Sequence, residues 1–251
     1  QKLVDATFYL YSNGYYNYYS AANLVGANLS QANLTNTRFS AWYGNGANLT
    51  NANLSQANLT NANFERTTLT GANLTGAEIR GANFGSLSGT GLTAAQLSST
   101  ASYALHDLSG IGLEANNLVG IDLSGQNLLN ANLGGAQLNN ANLRQANLRE
   151  TSLYYATLIG ADLTGAEVRG ASFHRGSSLG ENTGLSPAQL YSTASYQAHD
   201  LTGIVLNGNF AGIDLAVVET VIQERSNLDV DGVPGAAQLA VLEVIAPVLV
   251  P

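Results

Sequence analysis

The sequence predicts an all-β solenoid, on the strength of two observations: a large apolar residue recurs every five positions, and a small one sits two positions before it. The large series is Leu24, Leu29, Leu34, Phe39, Leu49, Leu54, Leu59, Phe64, Leu69, Leu74, Ile79 and Phe84, broken only at Gly44. A second series runs unbroken from Leu108 to Phe173. The small residue is alanine at Ala27, Ala32, Ala52, Ala57, Ala131 and Ala141. Helices repeat at 3.6 residues and strands at 2, so a period of five marks a repeat protein. Two inward residues in every five describe a chain that turns a corner every five residues. Four such sides close a square coil of about 20 residues, and coils stack at roughly 4.8 Å through backbone hydrogen bonds.

Taken in order, residues 1–21 form a Tyr-rich N-terminal cap and residues 22–86 a first ladder. At coil spacing Phe64 lies one turn from Phe84, so their rings are expected to stack. The residue between the inward pair is usually Asn (Asn28, Asn33, Asn53, Asn58, Asn142, Asn147). It points outward, with its amide free to bond corner backbone or the next coil. Gly44, following Trp42 and Tyr43, marks a local distortion. Residues 87–107 are an insert, 108–175 a second ladder, 176–200 a second insert and 201–215 a short third ladder. The two inserts are alike: GLTAAQLSSTASYALHDLSGIGL and GLSPAQLYSTASYQAHDLTGIVL. Thr93 precedes Gln96, and Ser186 precedes Gln189, by the three residues of a capping box, and Pro187 suits a first helical position. Each insert therefore reads as a short helix that re-enters the coil. Ile111, Ile121, Ile204 and Ile213 occupy the small inward position, so a wider coil is expected there. Residues 216–251 read as a helix–loop–helix cap, AVVETVIQER followed by GAAQLAVLEVIAPVL.

The stretches ANLSQANLTN, ANLTNANF, ANLTGAEI and GADLTGAEV resemble the pentapeptide-repeat family over most of the chain. That resemblance implies a right-handed quadrilateral β-helix. It also brings one known activity of some members, mimicry of DNA to bind the topoisomerase DNA gyrase. Such mimicry needs a long acidic stripe. Here the outward position is mostly Asn, and Glu78, Asp122, Asp162 and Glu167 are scattered.

The loop NLDVDGVPGAAQ at 227–238 resembles a degenerate calcium loop of EF-hand and dockerin modules. Asn227, Asp229 and Asp231 stand at the first oxygen-ligand positions, Gly232 at the sharp turn, and Val233 offers a carbonyl. Gln238 replaces the acidic twelfth residue, so weak calcium binding competes with a plain Asp-Gly turn.

The formal charge is −8 with 17 acidic residues among 251. There is no basic stripe to neutralise phosphates, which disfavours nucleic acid as a partner. Arg66, Arg80, Arg144, Arg149 and Arg169 read as solvated and isolated. No stretch has the apolar length of a membrane span. Cysteine is absent, and so is methionine, even at position 1. A processed, secreted chain at an extracellular or cell-surface location is the expectation.

Catalytic constellations are lacking: no phosphate loop, nucleophile elbow or zinc spacing. His106 and His199 are equivalent residues of the two inserts, read as small inward positions with a buried or corner hydrogen-bonding role. His174 reads as exposed. Glu78, Asp162 and Glu167 lack an apolar pocket to raise their pKa. The expectation is therefore no enzyme and no cofactor beyond possible calcium. The first functional reading is an extracellular scaffold that contacts other protein chains and self-assembles end to end. The N-terminal tyrosines Tyr9, Tyr11, Tyr15, Tyr16, Tyr18 and Tyr19 would be its interface. The gyrase-binding reading comes second. A carbohydrate-binding or adhesive surface using Tyr43, Tyr154 and Tyr155 comes third.

Overall fold

In the computed structural model of the protein, the described residues are 9–10, 20–40, 46–86, 91–174 and 184–206. The chain winds as a four-sided solenoid in which each side pairs in parallel with the same side of the next coil. Face 1 carries Asn23↔Asn48, Asn48↔Thr68, Asn117↔Gln137 and Gln137↔Thr157. Face 2 carries Asn28↔Asn53, Asn53↔Asn73, Asp122↔Asn142 and Asn142↔Asp162. Face 3 holds Asn33, Asn58, Glu78, Asp107, Asn127, Asn147 and Glu167. Face 4 runs from Arg38 through Asn63, Asn83, Gly112, Asn132 and Ser152 to Ser172.

One side shows how the period of five produces this pairing. The Leu54 amide donates to the Asn73 carbonyl (2.8 Å), and the Asn73 amide donates back to Ala52 (2.9 Å). The Ala57 amide closes the corner onto Leu54 (3.1 Å). At each corner one residue takes left-handed backbone, such as Gln56 (φ 57°) and Asn61 (φ 58°). The outward Asn makes the turn itself: Asn58 Oδ1 accepts from the Thr60 amide (3.0 Å) and hydroxyl (2.7 Å). Short polar side chains that bond backbone two residues on favour such turns. The Asn-Leu-Ser and Asn-Leu-Thr triplets thus serve the corners. Between coils, Asn147 Nδ2 donates to Asn127 Oδ1 at 2.9 Å.

Leu and Phe fill the centre of the solenoid, and Ala packs beside them; all are buried from Leu29 to Ile204. Phe39, Phe64 and Phe84 form one stack, with centroids 4.6 and 5.0 Å apart and planes within 13°. The distortion near Gly44 has a simple form. Asn23 pairs with Asn48, whereas Asn48 pairs with Thr68, so the first coil is one pentapeptide longer. The Ala47 amide donates to the Phe39 carbonyl (2.8 Å), closing the corner between them. Residues 41–45 lie outside the described residues.

Corner strain gives a first prediction. Ala115 sits at φ 57° with neither glycine's freedom nor a polar side chain. Ala115→Gly relieves about 1–2 kcal/mol of left-handed strain and forfeits about 0.4–1 kcal/mol through the unfolded chain. A net gain of about 0.5–1 kcal/mol is expected in urea denaturation.

Two elements lie at the ends: β1 (Tyr9–Leu10) pairs antiparallel with β2 (Ser20–Ala21). Each insert holds two helices rather than the single one expected. The first insert has α1 (Ala94–Ser98) and α2 (Ala101–Ala104), followed by β3 (Ser172–Phe173) in the ladder. The second has α3 (Pro187–Ser192) and α4 (Ala194–Gln197), followed by β4 (Val205–Leu206). The reason is a second N-cap in each: Thr100 and Thr193 accept from the amides of Tyr103 and Tyr196. The predicted capping boxes are both formed, and Pro187 takes its early helical position.

On face 4, coil pairing continues past both inserts. Asn83 bridges Gly112 across the first, and β3 pairs in parallel with β4 across the second. The coils with bulky inward isoleucine keep regular pairing, Asp107↔Asn127 and Gly112↔Asn132, with Ile111 and Ile121 buried. The helical cap expected at 216–251, Ile213 and the last part of the third ladder lie outside the described residues.

Candidate interaction surfaces

The inserts create the most elaborate polar arrangement on the molecule, and it is the same at both. Gln96 Oε1 accepts from the amide and hydroxyl of Thr93, while its Nε2 donates to the carbonyls of Leu69 (2.8 Å) and Ala72 (3.0 Å). Gln189 repeats this with Ser186, Leu158 (2.7 Å) and Ala161 (2.9 Å). Where α2 and α4 displace a strand side, buried Ser102 and Ser195 accept from the amides of Ile79 and Val168, each at 2.9 Å. The sequence signalled the capping boxes but not the reach of these glutamines into the neighbouring coil. Their equivalence in the two inserts was the only available sign. The cleft between α1 and the coil below, lined by Leu69, Gly71, Ala72 and Gln96, therefore has its strongest donor already engaged.

The arginines differ from expectation, because most are paired. Arg66 meets Glu65 (3.6 Å), Arg80 meets Asp107 (3.5 Å) and Arg144 meets Asp162 (3.0 Å). Arg169 bridges Glu167 (3.1 Å) and Asp200 (2.9 Å). For Arg80, Arg144 and the Arg169–Asp200 pair the cause is coil stacking, which sets residues distant in sequence side by side, whereas Glu65 and Glu167 are sequence neighbours of their arginines. Acidic residues on faces 2 and 3 are thereby interrupted by cations. Exposed pairs of this kind contribute little stability.

The carboxyl of Asp162 is lowered to about 2. The main cause is the hydroxyl and amide of Thr164 donating to it, with Arg144 adding to the shift. Asp107, Asp122 and Asp200 are lowered chiefly by Ser109, Ser124 and Thr202. A carboxyl depressed in the folded state stabilises above its unfolded pKa, near 4, and loses that effect as pH falls through its folded value. The Asp162 corner should therefore keep its contribution above about pH 4 and lose it as pH falls toward about 2. The corners of Asp107, Asp122 and Asp200 weaken on acidification in the same sense. Carboxyl chemical shifts followed with pH should place the Asp162 midpoint near 2.

His106 and His199 correct the sequence reading in part. Both are exposed, at left-handed corners (φ 56° and 55°). The buried places in those segments belong to Ser102 and Ser195. The corner role holds: His106 Nδ1 lies 3.5 Å from Gln126 Nε2. His174 is half-buried rather than exposed, because its ring stacks on Tyr154 (4.9 Å, 5°). Tyr155 meets Tyr154 edge-on at 4.1 Å. One face of Tyr154 is thus covered by His174, which leaves less ring surface for stacking on a sugar.

Glu78, Asp162 and Glu167 stand on the outer faces as expected. Among the described residues no group of three or more His, Asp or Glu side chains is placed to hold a metal ion. The calcium-like loop with Asn227, Asp229, Asp231, Val233 and Gln238 lies outside the described residues. So do Tyr11, Tyr15, Tyr16, Tyr18, Tyr19 and Tyr43, while Tyr9 is placed only through the backbone of β1. Among the described residues no helix is long and apolar enough to cross a membrane.

A ladder with polar faces and a buried apolar centre defines a β-solenoid. The chain belongs to the pentapeptide-repeat family: its repeat pattern matches in eight copies at residues 20–41, 47–85, 107–145 and 141–175, just over half of the sequence. No curated protein matches. Among solved structures, the chain is similar to HetL, a pentapeptide repeat protein involved in heterocyst differentiation regulation from the cyanobacterium Nostoc sp. strain PCC 7120. The two are 30% identical over 61% of this chain and 70% of that one, with a TM-score of 0.30. Rfr23, a pentapeptide repeat protein from the cyanobacterium Cyanothece 51142, is 30% identical over 55% of this chain and 85% of that one, also at 0.30. QnrB1, a plasmid-mediated fluoroquinolone resistance protein, is 18% identical over 92% of each chain, again at 0.30. Superpositions this loose carry no argument about what the chain does.

Proposed function

We propose that this chain is a non-catalytic extracellular scaffold, a right-handed four-sided coil that presents rigid faces to other protein chains and assembles end to end. The observation that supports this most is the continuity of face 4, which passes both inserts without a break from Arg38 to Val205 and so makes one rod. Open ends of a β-solenoid invite pairing unless they are capped. Head-to-tail contacts that do not close give filaments. The N-terminal tyrosines would meet the C-terminal end of the next copy, and the 227–238 loop would bind calcium weakly.

Light scattering across protein concentration, with calcium and then with chelator, tests each part. Mass that grows with concentration is expected, with an increment dependent on calcium. A constant monomer mass would remove end-to-end assembly, and indifference to chelator would remove the metal. Recovery from the medium rather than from cells tests the location. The gyrase reading stays second, because Arg80, Arg144 and Arg169 neutralise the carboxylates beside them. A supercoiling assay with purified gyrase should show no inhibition.

A further inference from the structure

At the corner that follows face 4, the coils stack residue on residue. The amides of Ser86, Ala115, Gly135 and Tyr155 donate to the carbonyls of Glu114, Gly134, Tyr154 and His174, at 2.7–2.9 Å. Glu114, Gly134, Tyr154 and His174 therefore stand in one column, a coil step of about 4.8 Å apart. His174 stacks on one face of Tyr154, with ring centroids 4.9 Å apart and planes within 5°. That separation is one coil step, so the stack runs along the column and the other face of Tyr154 looks back toward Gly134. Glycine puts no side chain there, whereas Ser124, Arg144 and Arg149 fill the same place in their pentapeptides. Tyr154 is exposed and the Gly134 backbone is buried, so the gap opens outward over a closed floor. Glu114 reaches up from the coil below. Its Cγ lies 3.9 Å from where a Cβ on Gly134 would be, and Asn132 Nδ2 donates to its carboxylate at 3.5 Å. Among the described residues no arginine pairs with Glu114.

We infer that this gap is a seat for an arginine side chain of a partner protein, held flat against Tyr154 with its edge toward Glu114. The face of an aromatic ring is negative, so a cation placed between ring and carboxylate satisfies both. A guanidinium suits the seat better than an ammonium. It is planar and weakly hydrated, it stacks on rings, and its fork of donors matches a carboxylate. His174 shows that one coil step fits one flat group against this ring. The net charge of −8 draws cationic partners. Both contacts face solvent, so a single side chain binds weakly. The seat depends on this ladder alone. That its guanidinium comes from a protein rests on the reading that the faces meet other chains.

Amide shifts of the isotope-labelled full chain test the seat. The probes are N-acetyl-arginine amide, its lysine and citrulline counterparts, and the capped peptide Gly-Gly-Arg-Gly-Gly. The arginine amide should move Gly134, Gly135 and Tyr155 with a Kd on the order of 1–10 mM. Lysine should bind more weakly, neutral citrulline should leave the signals still, and the peptide should bind at least as tightly as the amide. Glu114→Gln and Tyr154→Leu should each weaken binding about threefold to fivefold. Gly134→Arg should fill the seat from within the chain and abolish binding. Gly134 is not left-handed, and Arg144 occupies the same place in its own pentapeptide, so this variant stands if Tyr154→Leu folds poorly. Equal binding of citrulline, shifts spread evenly to the Asp122 and Asp162 corners, or undiminished binding by Gly134→Arg would overturn the seat. Binding of the amide but not of the peptide would overturn a protein as the source of the guanidinium. A constant monomer mass in light scattering removes end-to-end assembly without changing these shifts, so the two readings fail separately.

Discussion

Phe64→Ala should destabilise the first ladder by about 3–5 kcal/mol, the range for deleting a fully buried aromatic ring. Phe64 is 1% exposed and lies between Phe39 and Phe84 in a continuous stack. Its removal therefore leaves a void with a ring on each side. The solenoid centre cannot collapse to fill it, because the coil spacing is fixed by the hydrogen bonds of Phe64 to Asn83 and of Asn63 to Thr37. Phe64→Leu keeps most of the volume and should cost about 1 kcal/mol. Stability in a solenoid is a sum of repeat and neighbour terms, so the damage should be local. Hydrogen exchange should show coils around Asn48 to Phe84 opening early, while the ladder from Asn127 to Ser172 keeps its protection. Uniform loss of protection along the rod would mean that the solenoid unfolds as one unit.

The Phe64–Phe84 half of that stack was legible in the sequence, because the two lie one coil apart, whereas Phe39 joins it only through the longer first coil. The 20-residue pairing within the second ladder followed in the same way. What the sequence hid depends on contacts between residues about 20 or more positions apart. Arg80 reads as isolated until the coils bring Asp107 beside it, and Arg169 likewise needs Asp200 beside it. The histidines were misplaced because the period of five was extended into segments where helices had already taken over. Ser102 and Ser195 fill the inward place there, and His106 and His199 go to the corners.

The second large effect is expected at Gln96, where one substitution separates two roles. In an isolated capping box glutamate serves as well as glutamine, since only the side-chain oxygen is needed. Gln96→Glu should therefore leave the N-cap of α1 intact. It removes, however, the Nε2 donor that satisfies the carbonyls of Leu69 and Ala72. Two acceptors would then face a carboxylate with no proton between them. The Leu69 carbonyl keeps the Ala72 amide (3.0 Å), so the carbonyl of Ala72 is the one that loses its donor. Leaving one partly buried group unsatisfied costs about 1–3 kcal/mol, and a loss of that size is expected in urea denaturation. The sign with pH is diagnostic. The introduced carboxyl lies against carbonyl oxygens, so its folded pKa is raised above the unfolded value. Its penalty is then present at neutral pH and shrinks as pH falls and the carboxyl gains a proton it can donate. The variant should therefore recover stability relative to wild type as pH drops toward 4. Gln189→Glu should behave the same way through Leu158 and Ala161. A pH-independent loss in both variants would place the effect in the helix caps, and the glutamines would then not be what ties the inserts to the ladder.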